Sequence, residues 1–340
     1  MVFYFYEEAM RDVAKISVDG LVPNSFHLSH WRGNQTPTPL KADTATEIAL
    51  RYLAHPARKT LFPHVSIITN NHFDTDGLLA VWSLLNPRRA EPMAGRLIAA
   101  AEAGDFSIFS SEEGVQVNLL INALCRADES PIMPQIQDYK GPLEGAYYKA
   151  LLPIVFDLFQ KKEEYSAFWK VPFEKILHGM THFEKGIVGV EEHEEEGLTV
   201  VIDEERLLPQ AIDHYCMGNL FLVVEDRHRH EGGFGYELEY RYYAWADTVT
   251  RPQIPSIPMG SLVEILNDEE GKVTSDLEKS DLGEDSLKDE WKTDGFTGQS
   301  KTSALKFTNE KGARGLSRLH PEYVIQTVLN YLKSDEARTH

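Results

Sequence analysis

The strongest constraint on how this chain folds lies between His64 and Pro87, where the hydrophobic period changes across a polar corner. Val65, Ile67 and Ile68 form a short β-branched run that predicts an interior parallel strand over 65–68. Leu78, Leu79, Val81, Trp82, Leu84 and Leu85 predict a mostly apolar helix over 77–85, ending before Pro87. The corner between them holds Asn70, Asn71, His72, Asp74 and Asp76. In open α/β sheets ligands bind in the crevice outside the carboxyl ends of the strands, where the next helix also offers unpaired N–H groups. The plain structural alternative is that Asp74 and Asp76 cap the helix while His72 bonds the backbone of a tight turn.

Composition narrows the classes. The 340 residues are 42% hydrophobic, enough for a sizeable core in two domains or one elaborated domain. With 34 basic against 53 acidic residues the net charge is −19, which disfavours non-specific binding to nucleic acid or to an anionic membrane. A phosphate-bearing substrate then needs local positive charge. Cys125 and Cys216 are too few for a disulfide framework or a structural zinc site, so a reducing compartment is expected. No apolar run reaches membrane-spanning length and the first residues lack a signal-peptide pattern, which makes the cytoplasm the expected location.

Upstream of the corner, 13–22 reads as an early strand or hairpin suited to a sheet edge, with Asp19-Gly20 as a turn signal. The loop from His27 to Pro39 is dense in His30, Trp31, Arg32 and Asn34; it reads equally as a ligand-binding loop and as a rigid Pro-rich surface loop. Arg32 and Lys41 could supply the positive charge. A helix over 43–54 takes Asp43 as its N-cap, and a further helix, 92–103, ends at Gly104-Asp105. Residues 112–186 are mainly helical. His178 and His182 stand one helical turn apart, but with no Glu in the zinc-protease arrangement they read as surface or packing residues.

The chain then changes character. Glu191–Glu196 is an acidic, solvated run, Leu198–Ile202 a strand, and Leu220–Val224 with Tyr236–Tyr242 a hairpin, His228 and His230 alternating onto one strand face. A short helix is expected over 262–266, a long mobile insertion over 267–303 anchored if at all by Trp291 and Phe296, and a closing helix over 321–333. The expected organisation is an α/β domain over 1–190, with a parallel sheet, flanking helices and a helical middle, followed by a smaller β-rich unit over 191–340.

His72-Phe73-Asp74-Thr75-Asp76-Gly77 is not an EF-hand loop, because its bidentate Glu would fall at Ser83. The segment resembles the first motif of the DHH phosphoesterase superfamily, in which Asp-x-Asp-Gly after a strand supplies metal-binding carboxylates. It also resembles, less closely, the first motif of haloacid-dehalogenase-type phosphatases, with Asp74 as nucleophile and Asp76 as acid/base. Leu28-Ser-His-Trp31, Gly33-Asn34 and Thr36-Pro37, followed by Asn70-Asn-His-Phe-Asp74, look like an uncharacterised family of bacterial proteins defined by these two motifs.

The DHH resemblance implies a divalent-metal-dependent phosphoesterase acting on a small phosphorylated substrate. Asp74 and Asp76 would be catalytic, and the metal ligands would be His72, Asp74, Asp76, Asp105 from a later turn and His214 from Asp213-His214-Tyr215. His30, Arg32, Asn34 and Asn70 are the candidate substrate-binding residues. Adjacent carboxylates need a cation to stay ionised together, and oxygen-rich ligands favour Mn²⁺ or Mg²⁺ over zinc, though His72 admits zinc. The opposing class is a non-catalytic binding or regulatory protein on a degenerate version of the fold. It is told apart by whether Asp105 and a second His converge on the DxD turn.

Overall fold

A computed structural model describes residues 1–278, 290–292, 303–308 and 312–338. The chain forms two compact units, one of Met1–Leu177 with Trp245–Gln253, the other of His178–Ala244 with Ile254–His340.

The first unit is built on four parallel strands, β1 (Val2–Phe3), β2 (Lys15–Val18), β3 (Ser25–Leu28) and β4 (Ile67–Thr69), in the order β1-β4-β2-β3. β4 is therefore interior, and its helix runs from Thr75 to Leu85. Ten of that helix's eleven residues are buried, which explains why it is apolar on every face rather than amphipathic. β2 is also interior, not the edge strand expected from its sequence. All four of its residues are buried, and even Lys15 is accommodated, because its ammonium donates to the carbonyls of Met10, Arg11 and Val13 at 2.8, 3.1 and 2.7 Å. Asp19-Gly20 is consequently the exit from a parallel strand, not a hairpin turn. From β3 the chain crosses to the far side of β2 through the helix Ala45–Ala54 and enters β4, so the strand order reverses around the carboxyl end of β2.

The N-cap of Ala45–Ala54 is Thr44, whose hydroxyl accepts from Glu47 N at 3.2 Å; the neighbouring Asp43 has other work. Its carboxylate accepts from Val249 N (2.5 Å), Thr250 N (2.9 Å) and Arg251, tying the returning stretch Trp245–Gln253 to this unit. Helices Ala94–Asp105, Glu112–Arg126 and Leu143–Leu151 supply further layers, as their apolar periodicity predicts.

The second unit holds a six-stranded mixed sheet ordered β5-β6-β7-β8-β10-β9. Its strands are β5 (Gly189–His193), β6 (Leu198–Asp203), β7 (Leu220–Asp226), β8 (Phe234–Tyr240), β9 (Glu290–Lys292) and β10 (Ser303–Thr308). Among the described residues of this unit only β6 and β7 pair in parallel. The acidic run supplies the end of the exposed edge strand β5 and the turn after it, and the expected hairpin is β7–β8. His228 and His230 lie in a helical turn, His228–Glu231, closed by left-handed Gly232, rather than on a strand. The helix expected over 262–266 extends from Gly260 to Glu278 and takes in the first part of the expected insertion; residues 279–289 and 293–302, with Phe296, lie outside the described residues. Trp291 pairs with Phe307 across β9 and β10. The closing helix spans Pro321–Lys333.

Candidate metal centre

The carboxyl ends of β2, β3 and β4 deliver Asp19, His30 and the 70–76 corner to one place, and the last residue of helix Ala94–Asp105 completes it. Two overlapping groups result. Asp19, His30, Asp76 and Asp105 form one, Asp19, His72 and Asp74 the other; in each, ligand-capable atoms lie within 4.8 Å of one another. Asp19 belongs to both. Its Oδ1 is 3.1 Å from His30 Nε2 and its Oδ2 is 3.0 Å from His72 Nε2. His30 Nε2 is also 3.2 Å from Asp105 Oδ2 and 3.6 Å from Asp76 Oδ2, while His72 Nε2 is 3.2 Å from Asp74 Oδ2.

Local structure fixes each group. Asp19 sits at φ +62°, a left-handed conformation that Asp and Asn tolerate better than other L-residues, and this turns its carboxylate back over the strand end. Gly77 lets the helix start come close: a Cβ there would lie 2.5 Å from Asn70 Nδ2, 2.7 Å from the Tyr148 hydroxyl and 2.8 Å from Asp19 Oδ2. His30 Nδ1 lies 2.5 Å from the Asp43 carbonyl and donates to it, so that Nε2 is the nitrogen facing the carboxylates. Asp74 divides its two oxygens, Oδ1 capping the helix through Gly77 N at 2.8 Å and Oδ2 facing His72. Capping and site membership are thus compatible in one side chain. Asp76 accepts from Ala45 N at 2.6 Å and Thr46 N at 2.7 Å, joining two helix starts.

The side chains of Asp19, His30 and Asp76 are fully buried and that of Asp105 is 2% exposed, whereas His72 and Asp74 are 23% and 24% exposed. The site therefore opens on the His72–Asp74 side. Trp31 packs edge-on against His72 at 5.2 Å and against Trp245 at 5.0 Å, and Trp245 in turn packs on His30 at 5.0 Å, an aromatic wall that limits water.

Four carboxylates converge with two imidazoles, and the titration of Asp19, Asp76, His30 and His72 reflects that crowding. Burial pushes Asp19 up, but the rings of His72 and His30 outweigh it and hold the carboxyl well below its usual range. Burial, then repulsion from Asp105 and Asp19, raises Asp76 well above the carboxylate range, with His30 and Thr46 opposing. Burial favours neutral His30, but Asp105 and Asp19 beside Nε2 raise it well above an ordinary histidine; His72 is raised likewise against burial by Asp74 and Asp19. Both oxygens of Asp19 and the Nε2 atoms of His30 and His72 are buried at these short separations without an aligned hydrogen bond. A divalent cation satisfies such a set of atoms and replaces the protons that the imidazoles otherwise retain.

Of the residues expected from the sequence, His72, Asp74, Asp76, Asp105 and His30 come together here. Asn70 is buried behind the corner, its amide donating to the Tyr148 hydroxyl at 2.9 Å while its oxygen accepts from Asn71 N. Asn34 donates to the Trp31 carbonyl and to Asp247, which also pairs with Lys41 at 2.7 Å; Arg32 is exposed. His214 stands exposed in the second unit on the helix Pro209–Tyr215 and belongs to neither group. Asp19 was not among the expected residues. Its signal was an Asp-Gly directly after a β-branched run, which also reads as an ordinary turn.

Among the described residues no helix is long and apolar enough to cross a membrane. No curated protein and no solved structure matches the chain. A family model does match it over residues 1–340, and the chain belongs to that family, DUF6687, described as a family of unknown function.

Proposed function

We propose that this protein is a divalent-metal-dependent phosphoesterase that hydrolyses a small phosphorylated substrate, with Mn²⁺ or Mg²⁺ as the cation. The observation that carries this reading is Asp19, whose two oxygens face two separate ligand groups. A carboxylate in that position would serve both groups if each held a cation, and paired cations would supply the charge that in-line displacement at phosphorus needs. His30, Asp76 and Asp105 would complete the deep position, His72 and Asp74 the shallow one. Divalent cations held there would polarise a phosphoryl oxygen and lower the pKa of a water molecule toward neutrality.

The chain's own residues account for the rest. Asp43 and Asn71 hold the two histidines in the tautomer that presents Nε2, since Asn71 Oδ1 lies 3.3 Å from His72 Nδ1. The partial exposure of His72 and Asp74 leaves the shallow position open to substrate, and Arg32, at the exposed loop, is the nearby cation in sequence. The resemblance to DHH phosphoesterases agrees with this reading. The haloacid-dehalogenase alternative is less well supported, because Asp76 is buried with both oxygens accepting backbone amides, a poor placement for an acid/base that must reach a leaving group. Convergence of His30 and Asp105 on the DxD turn likewise favours an enzyme over a degenerate binding protein. Two free, buried cysteines fit the cytoplasm.

The test titrates Mn²⁺ and Mg²⁺ into wild type, Asp74→Asn and Asp76→Asn, following heat release, thermal unfolding and hydrolysis of generic phosphoesters. Wild type should bind metal, gain thermal stability and hydrolyse a subset of the esters. Asp74→Asn should keep its fold, because Asn caps a helix nearly as well as Asp, yet lose metal affinity, as should Asp76→Asn. Metal-indifferent behaviour in all three would remove the phosphoesterase reading and leave the binding or regulatory protein.

A further inference from the structure

We propose a second, chemically different metal site in the second unit, a zinc site formed by His178, His182 and Glu205 and oriented by Asp203. It is independent of the phosphoesterase reading. His178 and His182 lie one turn apart near the end of helix Ser166–Glu184, their ring centroids 4.3 Å apart. Glu205 follows β6, and its Oε2 is 3.3 Å from His178 Nε2. Ligand-capable atoms of all three lie within 4.8 Å of one another.

The second observation is Asp203, whose side chain is only 3% exposed. One of its oxygens is 2.8 Å from His182 Nδ1, and the other accepts from Glu205 N at 2.7 Å. A single buried carboxylate thus fixes the ring of one ligand and the backbone of another. With Nδ1–H donating to Asp203, His182 presents its Nε2 lone pair, which is how carboxylates orient zinc-bound histidines. An exposed His–Glu ion pair contributes little by itself and calls for no buried carboxylate behind it.

Two imidazoles and one carboxylate are a zinc donor set, in contrast to the oxygen-rich set around Asp19. Three protein ligands leave the fourth tetrahedral position open. The side chains of His178 and Glu205 are 56% and 64% exposed, so the ion can enter and leave without unfolding.

The full chain, stripped with a chelator, is titrated with Zn²⁺ alone by calorimetry and with Co²⁺ by ligand-field absorbance, for wild type, His178→Gln, Glu205→Gln and Asp203→Asn. Wild type should bind one more equivalent of Zn²⁺ than His178→Gln, and its tetrahedral Co²⁺ band should be absent from that variant. Glu205→Gln should weaken this equivalent, and Asp203→Asn should weaken it about 10- to 100-fold, the scale set by loss of a carboxylate that orients a ligand. Mn²⁺ binding should be unchanged in His178→Gln, which separates this site from the one around Asp19. Equal Zn²⁺ stoichiometry and equal Co²⁺ spectra in wild type and His178→Gln would overturn the proposal.

Discussion

The group around Asp19 and the group around His178 use the same side-chain types at opposite levels of exposure. In the first, Asp19, His30 and Asp76 are sealed from water, and four carboxylates share two imidazoles. In the second, His178 and Glu205 stand largely in solvent and only the orienting Asp203 is buried. Water can stand in for a missing partner at the exposed group. At the buried one it cannot, so charge balance there must come from protons or a cation. The difference teaches that burial decides how strongly a metal couples to the fold.

The largest expected effect follows from breaking the buried group at its shared member. Asp19→Asn keeps the left-handed backbone, which Asn tolerates, but removes the charge common to both positions. Wild type should gain about 2.7 kcal/mol in denaturant unfolding at a hundredfold excess of metal over its dissociation constant, and the variant should gain nothing. Phosphoester turnover should fall about a hundredfold or more, the scale of losing one group that stabilises developing charge. A variant that still responds fully to Mn²⁺ would break the comparison at its root.

Next in size is Gly77→Ala, which places a methyl against Asn70, Tyr148 and Asp19 and should destabilise the metal-free protein by about 1–3 kcal/mol in urea unfolding. Gly95→Ala is the control. A Cβ there meets no atom within 4 Å beyond its own stretch of helix and should stabilise by about 0.5–1 kcal/mol. Equal effects at the two glycines would mean that the corner is not tightly packed.

At the exposed group, His178→Gln should change metal-free stability by less than about 0.5 kcal/mol, as surface substitutions do, while the share of the thermal gain from Zn²⁺ that this site contributes disappears. A large metal-free loss would show that the histidine pair is structural after all.

A further effect sharpens the comparison from a third side. Glu239, on β8, is pushed up to about 7 by burial and then by the neighbouring Glu237, against the Tyr242 hydroxyl and Arg206. Here a crowded carboxyl is relieved by a proton and no cation is needed. Because its folded pKa lies above the ordinary value of 4.5, its contribution is fully present below pH 4.5 and is lost as pH rises through about 7. Glu239→Gln should flatten that part of the stability–pH curve, measured by urea unfolding between pH 4.5 and 7.5. An unchanged slope would remove the role given to this carboxyl.

Local signals were readable wherever one short window contained them. The period change from Ile67–Ile68 to Leu78–Leu85 gives both β4 and its helix, and Asp74 and Asp76 announce the corner by spacing alone. What could not be read locally is parallel pairing. Asp19 and His30 lie far from the corner in sequence, and the register of β2 between β4 and β3 brings them alongside it, whereas Asp105, at the end of helix Ala94–Asp105, is in view as a later turn. The edge position expected for β2 failed because a four-residue strand carries no mark of having neighbours on both sides. Asp43 misled as an N-cap because its partners, residues 249–251, follow it by some two hundred positions. The same holds for Asp203, at the end of β6, and Glu205 just after it, which meet His182 and His178 across some twenty residues or more.

The return of Trp245–Gln253 to the first unit has a consequence for the order in which the molecule is made. Asp43 positions His30 through its carbonyl and is itself anchored by Val249, Thr250 and Arg251. A ribosome adding 5–20 residues per second needs about 4–15 s to travel from Leu177 to Gln253. Through that interval the nascent amino-terminal residues lack the clasp on Asp43 and the Trp245 ring over His30. A chain truncated after Leu177 should therefore carry every proposed ligand of the Asp19 site and still hold His30 loosely, and expression of that fragment is expected to yield a weaker metal binder than the whole protein.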